Sequence, residues 1–226
     1  MTPCSPFYRD CIPFALGLDL VYIFLMKSVL FVDFDGTICH DKFWRSLSSN
    51  LSEKLQRYIF SSDKSLVEAW MKGLHTSEEI NRMVADELNI KYDFLWDIFV
   101  NDAKSMFVSQ SVLQKIGSLR EKYIVILITD NMDSFDRFTL PSLKLQNYFD
   151  VVVNSYSRGV SKNENGGRLF VEVAKENNSK VSGSMLIDNS KDVCQLFESL
   201  GGQSLFVTKE SSVSYWLDKI KLNTEV

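Results

Sequence analysis

Histidine is nearly missing from this chain: His40 and His75 are the only two in 226 residues. The four cysteines, Cys4, Cys11, Cys39 and Cys194, form no C-x-x-C pair and no cluster. Few ligand sets for a structural zinc site can be assembled from these residues. Scattered thiols fit a reducing, cytoplasmic compartment better than a secreted, disulfide-stapled fold, and Cys39 reads as a small buried hydrophobe. Proline is sparse, and Pro3, Pro6 and Pro13 are three of only four. There is no run of lysine or arginine, and 25 basic against 29 acidic residues leave a net charge of −4. Binding to nucleic acid irrespective of sequence requires a basic footprint, so no nucleic-acid partner is expected. Internal repeats and low-complexity linkers are also lacking.

Long apolar runs are equally scarce. The one stretch that resembles a membrane or targeting segment, 14–26, is shorter than the roughly 20 residues of a span, and Asp19 interrupts it. It has neither a convincing basic leader nor a small-x-small cleavage site. Met26-Lys27, directly before an apolar run, reads as a natural start. Residues 1–25 are therefore expected to be a dispensable or poorly packed extension, with no membrane association; an interfacial anchor is the alternative reading.

What the chain does have is 45% hydrophobic and 24% charged residues, enough to build a core that needs neither metal nor disulfide. Apolar runs at 28–32, 124–128, 151–153, 185–187 and 204–207 are continuous rather than alternating, the pattern of strands covered on both faces. Helical periodicity lies between them at 112–122, 168–176, 193–200 and 213–222. Strand–helix alternation of this kind predicts an α/β protein: a Rossmann-like parallel sheet with helices on both faces. Ligands of such sheets bind beyond the carboxyl ends of the strands.

The interval 39–110 breaks the alternation. Amphipathic stretches at 52–60 and 66–74 are followed by a capping box, Thr76 with Glu79, that opens a helix to Leu88, and then by an aromatic stripe over 92–107. An inserted all-helical cap is expected here. Its aromatic residues, Trp44 and Trp70 included, serve its own packing or line the cleft, where Arg45 is a further candidate. The expected division is an extension at 1–25, a catalytic core formed by 26–38 and 111–226, and a helical cap at 39–110.

The chemistry lies at strand ends. In Val32-Asp33-Phe34-Asp35-Gly36-Thr37 two carboxylates stand two residues apart just past a strand, so both project one way while Phe34 faces the other. Gly36 permits a sharp turn close to a ligand. Two like charges this near are costly unless a cation or a shared proton relieves them, which predicts a divalent metal, an acid/base pair, or both. Thr129 closes the second strand, Lys162 follows the third after a loop, and Asp188 ends the fourth with Asp192 four residues on. Singly these are a turn residue, a surface charge and a helix cap; together, in order on four strands, they form one set.

That ordered set resembles the haloacid dehalogenase-like superfamily, specifically its small phosphatases with a helical cap inserted after the first strand. The resemblance covers about residues 27–210, and its first motif is the specific one. It implies that Asp33 is the nucleophile, giving an aspartyl-phosphate, and that Asp35 protonates the leaving oxygen and then activates water. Thr129 and Lys162 would bind the phosphoryl oxygens. Mg²⁺ would be held by Asp33, the Asp35 carbonyl and Asp188, with Asp192 as a ligand or as an orienter of Lys162. A carboxylate at position 35 points to phosphate esters, because the dehalogenases of the superfamily lack an acid/base there and need no metal.

The sequence departs from the family pattern in three places. Asp130 follows Thr129, and is expected to point away from a bound phosphate. Lys162 lacks the frequent following proline. The fourth motif also reads in a second register, with Asn189 at the usual acidic position and Asp192 without a role. The implied activity is a Mg²⁺-dependent phosphatase on a small phosphorylated metabolite. A phosphotransferase or mutase acting on a sugar phosphate is one alternative, which product analysis would separate. A catalytically silent phospho-ligand binder is the other, marked by metal binding without turnover. These residues carry no information on oligomeric state.

Overall fold

The computed structural model describes residues 27–61 and 65–222. The expected extension at 1–25 and the apolar stretch at 14–26 lie outside the described residues. Strand β1 (Val29–Val32) is followed by helices α1 (Ser49–Gln56), α2 (Ser65–Met71), α3 (Ser77–Leu88), α4 (Tyr92–Lys104) and α5 (Gln110–Leu119). Then come β2 (Ile124–Thr129), β3 (Val151–Asn154), α6 (Arg168–Glu176), β4 (Met185–Asp188), α7 (Lys191–Ser199), β5 (Gln203–Phe206) and α8 (Val213–Leu222). The strands form one parallel sheet in the order β3-β2-β1-β4-β5.

Alternation along β1 sorts the core into two layers. Leu30 and Val32 face one side, where Leu113 and Ile116 of α5 and Leu217 and Ile220 of α8 cover them. Val29 and Phe31 face the other, against Phe170 and Val173 of α6 and Phe197 of α7. All four β1 side chains are buried, which is why the run is continuously apolar: a central strand has no wet face. The order also places the ends of β1 and β4 side by side at the middle of the sheet, where chain connections diverge and ligands of open sheets gather.

Helices α1 to α4 pack on themselves, apart from the sheet. Phe99 is surrounded by the rings of Trp44, Phe43, Trp96 and Trp70, with centroids 5.0, 5.2, 5.6 and 6.0 Å away. Trp44 and Trp70 are buried in this cluster. Arg45 is occupied with the Asp102 carbonyl and the Ser105 hydroxyl. The expected capping box is present: Thr76 Oγ1 accepts from the Glu79 amide, and the Glu79 carboxylate accepts from the Thr76 amide. Asn89, at φ 51°, ends the same helix in the left-handed conformation.

Several short helical pieces have no counterpart in the sequence pattern, among them a π-helical turn at Phe135–Thr139 and one turn at Ser155–Arg158. Each is too short for apolar periodicity to register, and these two lie on the loops that follow β2 and β3. No helix among the described residues is long and apolar enough to cross a membrane.

Phe31 joins strand to helices: its ring meets Phe170 and Phe197 edge-on at 5.4 and 5.7 Å, and those two meet each other at 5.0 Å. Replacing Phe31 by Ala removes the common partner and leaves a cavity, so a loss of about 3–5 kcal/mol is expected in urea unfolding. A loss below about 1 kcal/mol would mean that the two helices close over the gap.

Candidate active site

The ladder between β1 and β4 continues one residue past the strand, as the Asp33 amide donates to the Ile187 carbonyl at 3.0 Å. Asp33 and Asp188 therefore leave the sheet from adjacent strands. Beyond Asp33 the Phe34 carbonyl accepts from the Ile38 and Cys39 amides, both at 3.0 Å, and the Gly36 amide donates to the Cys39 carbonyl at 2.7 Å. This closes a tight turn over the strand end. Gly36 has φ +77°, and a Cβ there would lie 2.2 Å from the Asn189 side-chain nitrogen, so both conformation and space require glycine. Phe34 turns inward and packs on Phe135.

Lys162 reaches the same point from the loop after β3. Its Nζ donates to Asp33 Oδ1 and to Asp188 Oδ2, each at 2.7 Å, with only 4% of the residue exposed. Each remaining carboxylate oxygen also has a donor: Thr37 Oγ1 to Asp33 Oδ2 at 2.8 Å, and the Ser190 amide to Asp188 Oδ1 at 2.7 Å. Asp130 turns its carboxylate to the Lys162 main-chain amide at 2.9 Å rather than into the cluster, and so fixes the loop that carries the lysine.

Asp35 is held differently. Asn131 Nδ2 donates to Asp35 Oδ2 at 2.6 Å and lies 3.5 Å from Thr129 Oγ1, linking the buried Thr129 to the second carboxylate. Thr129 itself sits at the last position of β2, paired in register with Asn154.

Burial sets the electrostatics. It pushes the Asp33 carboxyl up to about 7, with Lys162 pulling down and Asp188 pushing up. Burial also raises Asp35, against the pull of Lys42 and Lys162. For Lys162 burial works against the ammonium, but Asp33, Asp188 and Asp130 outweigh it and hold the proton more firmly than usual. Cys39 and Cys194 are buried, and burial lifts each thiol to about 11, so neither is a ready nucleophile.

The structure thus gathers Asp33, Asp35, Thr129, Lys162 and Asp188, and leaves Asp192 outside. Ser190 caps α7, its Oγ accepting from the Val193 amide. That start turns Val193 and Cys194 inward and leaves Asp192 exposed in the first turn, with no ion pair to Lys162, whose partners are Asp33 and Asp188. Asn189 takes the nearer place, its Oδ1 accepting from Thr37 Oγ1 at 3.3 Å. Asn131 and Thr37 join the site as groups that orient its carboxylates. Among the described residues no three His, Cys, Asp or Glu side chains converge as a metal cage. The hard-oxygen donors on offer are the Asp33 and Asp188 carboxylates and the Asp35 main-chain carbonyl.

No family model and no curated protein matches the sequence. Solved structures do. A HAD family enzyme from Bacteroides thetaiotaomicron, crystallised with magnesium and inorganic phosphate, superposes with a TM-score of 0.63 at 17% identity, over 80% of this chain and 94% of that one. A predicted HAD-like family hydrolase from Porphyromonas gingivalis gives 0.63 at 19% identity, over 89% and 99%. A 2-haloacid dehalogenase from Pseudomonas syringae pv. tomato gives 0.60 at 12% identity, over 88% and 100%. The chain therefore has the haloacid dehalogenase-like fold, a Rossmann-like parallel sheet with helices on both faces, which phosphate-bound enzymes and dehalogenases share.

Lys162 is the cation between the two buried carboxylates, and its removal has a predictable pH signature. Asp33 holds its proton to about 7 when folded but only to 3.8 as its ordinary value. The folded state thus binds more protons in that window, and this group lowers stability as pH rises from about 4 to 7. In Lys162→Met the folded value rises further and the loss extends to higher pH. In metal-free buffer the variant should lose about 3–5 kcal/mol at pH 8 and markedly less at pH 5, read from thermal unfolding. A loss equal at both pH values would show that the lysine does not hold these charges.

Proposed function

We propose that this chain is a Mg²⁺-dependent phosphatase that hydrolyses a small phosphorylated metabolite through an aspartyl-phosphate, with helices α1 to α4, within 39–110, acting as the cap over the site. The observation that carries this reading is the unlike treatment of two carboxylates two residues apart. Burial raises both carboxyls, but Asp33 sits against the Lys162 ammonium, while the hydrogen-bond partner of Asp35 is a neutral amide. One is placed as a nucleophile beside positive charge, the other as a carboxyl group able to hold and release a proton. The fold alone does not separate phosphatases from dehalogenases; Asp35 favours the phosphatase.

In the first step an Asp33 oxygen attacks phosphorus, the bond from phosphorus to the ester oxygen breaks, and Asp35 gives its proton to the departing oxygen. In the second, the Asp35 carboxylate takes a proton from water as the water oxygen attacks phosphorus. The acyl phosphate bond then breaks, freeing inorganic phosphate and Asp33. Lys162 and the Thr129 hydroxyl stand where phosphoryl oxygens need neutralisation and hydrogen bonds. The donor set fits Mg²⁺, which takes a few carboxylate and carbonyl oxygens and keeps several waters; Asp33, Asp188 and the Asp35 carbonyl would hold it, without Asp192. When bound, the ion supplies charge neutralisation at the phosphoryl group. The magnesium and phosphate complex of the Bacteroides enzyme supports this assignment. The two buried free thiols, Cys39 and Cys194, suit a reducing compartment such as the cytoplasm.

Release of phosphate from 4-nitrophenyl phosphate, with and without Mg²⁺, tests the reading. Turnover should require the metal. It should fall by roughly 10³-fold or more in Asp33→Asn; in Asp35→Asn kcat should fall by roughly 10²–10⁴-fold, the loss on this aryl ester arising in the second step, where the carboxylate activates water. Activity indifferent to both the metal and Asp33 would sink the mechanism; metal binding without any turnover would favour a silent binder.

A further inference from the structure

The four residues after Thr129 each tie a different part of the molecule. Asp130 binds the Lys162 amide, and Asn131 binds Asp35. Met132 is buried in the aromatic cluster of the inserted helices, while its carbonyl accepts from Asn154 Nδ2 at 3.0 Å. Asp133, 5% exposed, accepts through Oδ1 from the Trp70 indole N–H at 3.1 Å, from the Ser77 amide at 3.1 Å and from the Ser77 hydroxyl. Its Oδ2 accepts from Arg137 at 2.8 Å, and Arg137 in turn holds both oxygens of Glu78.

This arrangement is more than a surface ion pair. Trp70 ends α2 and Ser77 is the first residue of α3, so one carboxylate joins two inserted helices to the loop after β2. The Ser77 amide belongs to the unpaired N–H groups at the positive end of a twelve-residue helix, where a carboxylate is favoured. Trp70 and Ser77 are buried, whereas Arg137 is exposed; the contacts to Oδ1 are therefore worth more than exposed ones, with no water to substitute for a lost acceptor. Asn131 lies two residues away on the same stretch, its amide nitrogen bonded to the Ser155 hydroxyl at 3.1 Å, and Ser155 Oγ donates to the Met71 carbonyl of α2 at 2.7 Å. Both flanks of Asn131 are therefore anchored to α2.

We infer that Asp133 is a positioning residue for the reaction: by seating α2 and α3 on the loop after β2, it fixes Asn131 and through it the orientation of the Asp35 carboxyl. The inference rests on the acid/base role proposed for Asp35. It makes proton delivery depend on whether the inserted helices are docked, although Asp133 itself touches no reacting atom.

The test compares Asp133→Asn with the parent on two substrates. 4-Nitrophenyl phosphate loses a phenolate that departs without a proton, whereas glycerol 2-phosphate loses an alkoxide that needs one. A displaced Asp35 should lower kcat/KM for the alkyl ester by about tenfold or more, and that for the aryl ester by less than about threefold. Loss of folded protein would lower both alike, and equal losses would overturn the inference. Ser77→Ala removes one donor without touching Asp133 and should show the same selective loss, smaller in size. The second readout is the side-chain amide resonance of Asn131 in ¹⁵N spectra, read beside the Trp70 indole signal. Movement of both in Asp133→Asn supports the linkage; movement of Trp70 with Asn131 unchanged makes Asp133 a fastening of the helices alone and overturns it. The spectra decide the linkage even if the parent protein turns over neither ester, an outcome that would count against the proposed function instead.

Discussion

Two carboxylates from neighbouring strands, almost closed off from water, share a single ammonium group. At 4 Å and an effective dielectric near 20 two unit charges interact with about 4 kcal/mol, so Asp33 beside Asp188 is tolerable only with a cation between them. That cation does not come from either strand. Lys162 follows β3, which lies two strands from β1 in the sheet, and its loop must cross the end of β2 to deliver it. Asp130 at the end of β2 anchors that loop by the Lys162 main-chain amide, and the Glu164 carboxylate accepts from the Ser161 amide at 2.9 Å. Two successive main-chain amides, those of Ser161 and Lys162, are thereby held, which fixes where the lysine side chain begins. Groups from the ends of four adjacent strands thus meet at one ion triad.

The turn that carries Asp35 follows from the same constraint. Once Asp33 is held at the strand end by Lys162 and Thr37, the chain must fold back within a few residues, and the Phe34 carbonyl is the acceptor on which it does so. Gly36 then comes close to the Asn189 side chain. The loop after β4 is as tightly placed, since Asp188 binds the Ser190 amide and Ser190 starts α7. Little in this half of the site can shift without moving a charged partner.

How much of this could be read from residues alone depends on the range of the interaction. The five strands were legible because burial on both faces writes a continuous apolar run into a few adjacent positions, and the capping box at Thr76 because its two partners are three residues apart. Asp33, Asp35, Lys162 and Asp188 were legible as a set through their order on successive strands. The choice between Asp192 and Asn189 was not, because spacing from Asp188 is the same chain in either register; the structure adds a Thr37 hydrogen bond to Asn189 and an exposed Asp192. Asn131 and Asp133 were out of reach for a different reason. Their partners are Asp35, Trp70 and Ser77, separated from them by 96, 63 and 56 residues. A local pattern of Asp, Asn, Met and Asp carries no trace of such distant donors.

The same distance in sequence explains why identical residue types end with unlike chemistry. Asp33 and Asp35 begin as the same carboxyl group, two positions apart, in the same buried turn. Burial raises both, as it must when charge leaves water. What separates them is the partner that tertiary structure brings: for Asp33 an ammonium, which favours its charged form, and for Asp35 the neutral amide of Asn131. The first of these environments needs only strand ends and a lysine loop. The second depends on the stretch after β2, where Asn131 faces Asp35 and its neighbours bind the inserted helices. In this chain the difference between the two carboxyls is then set less by the triad at the sheet than by the few residues that connect the sheet to the helices before α5.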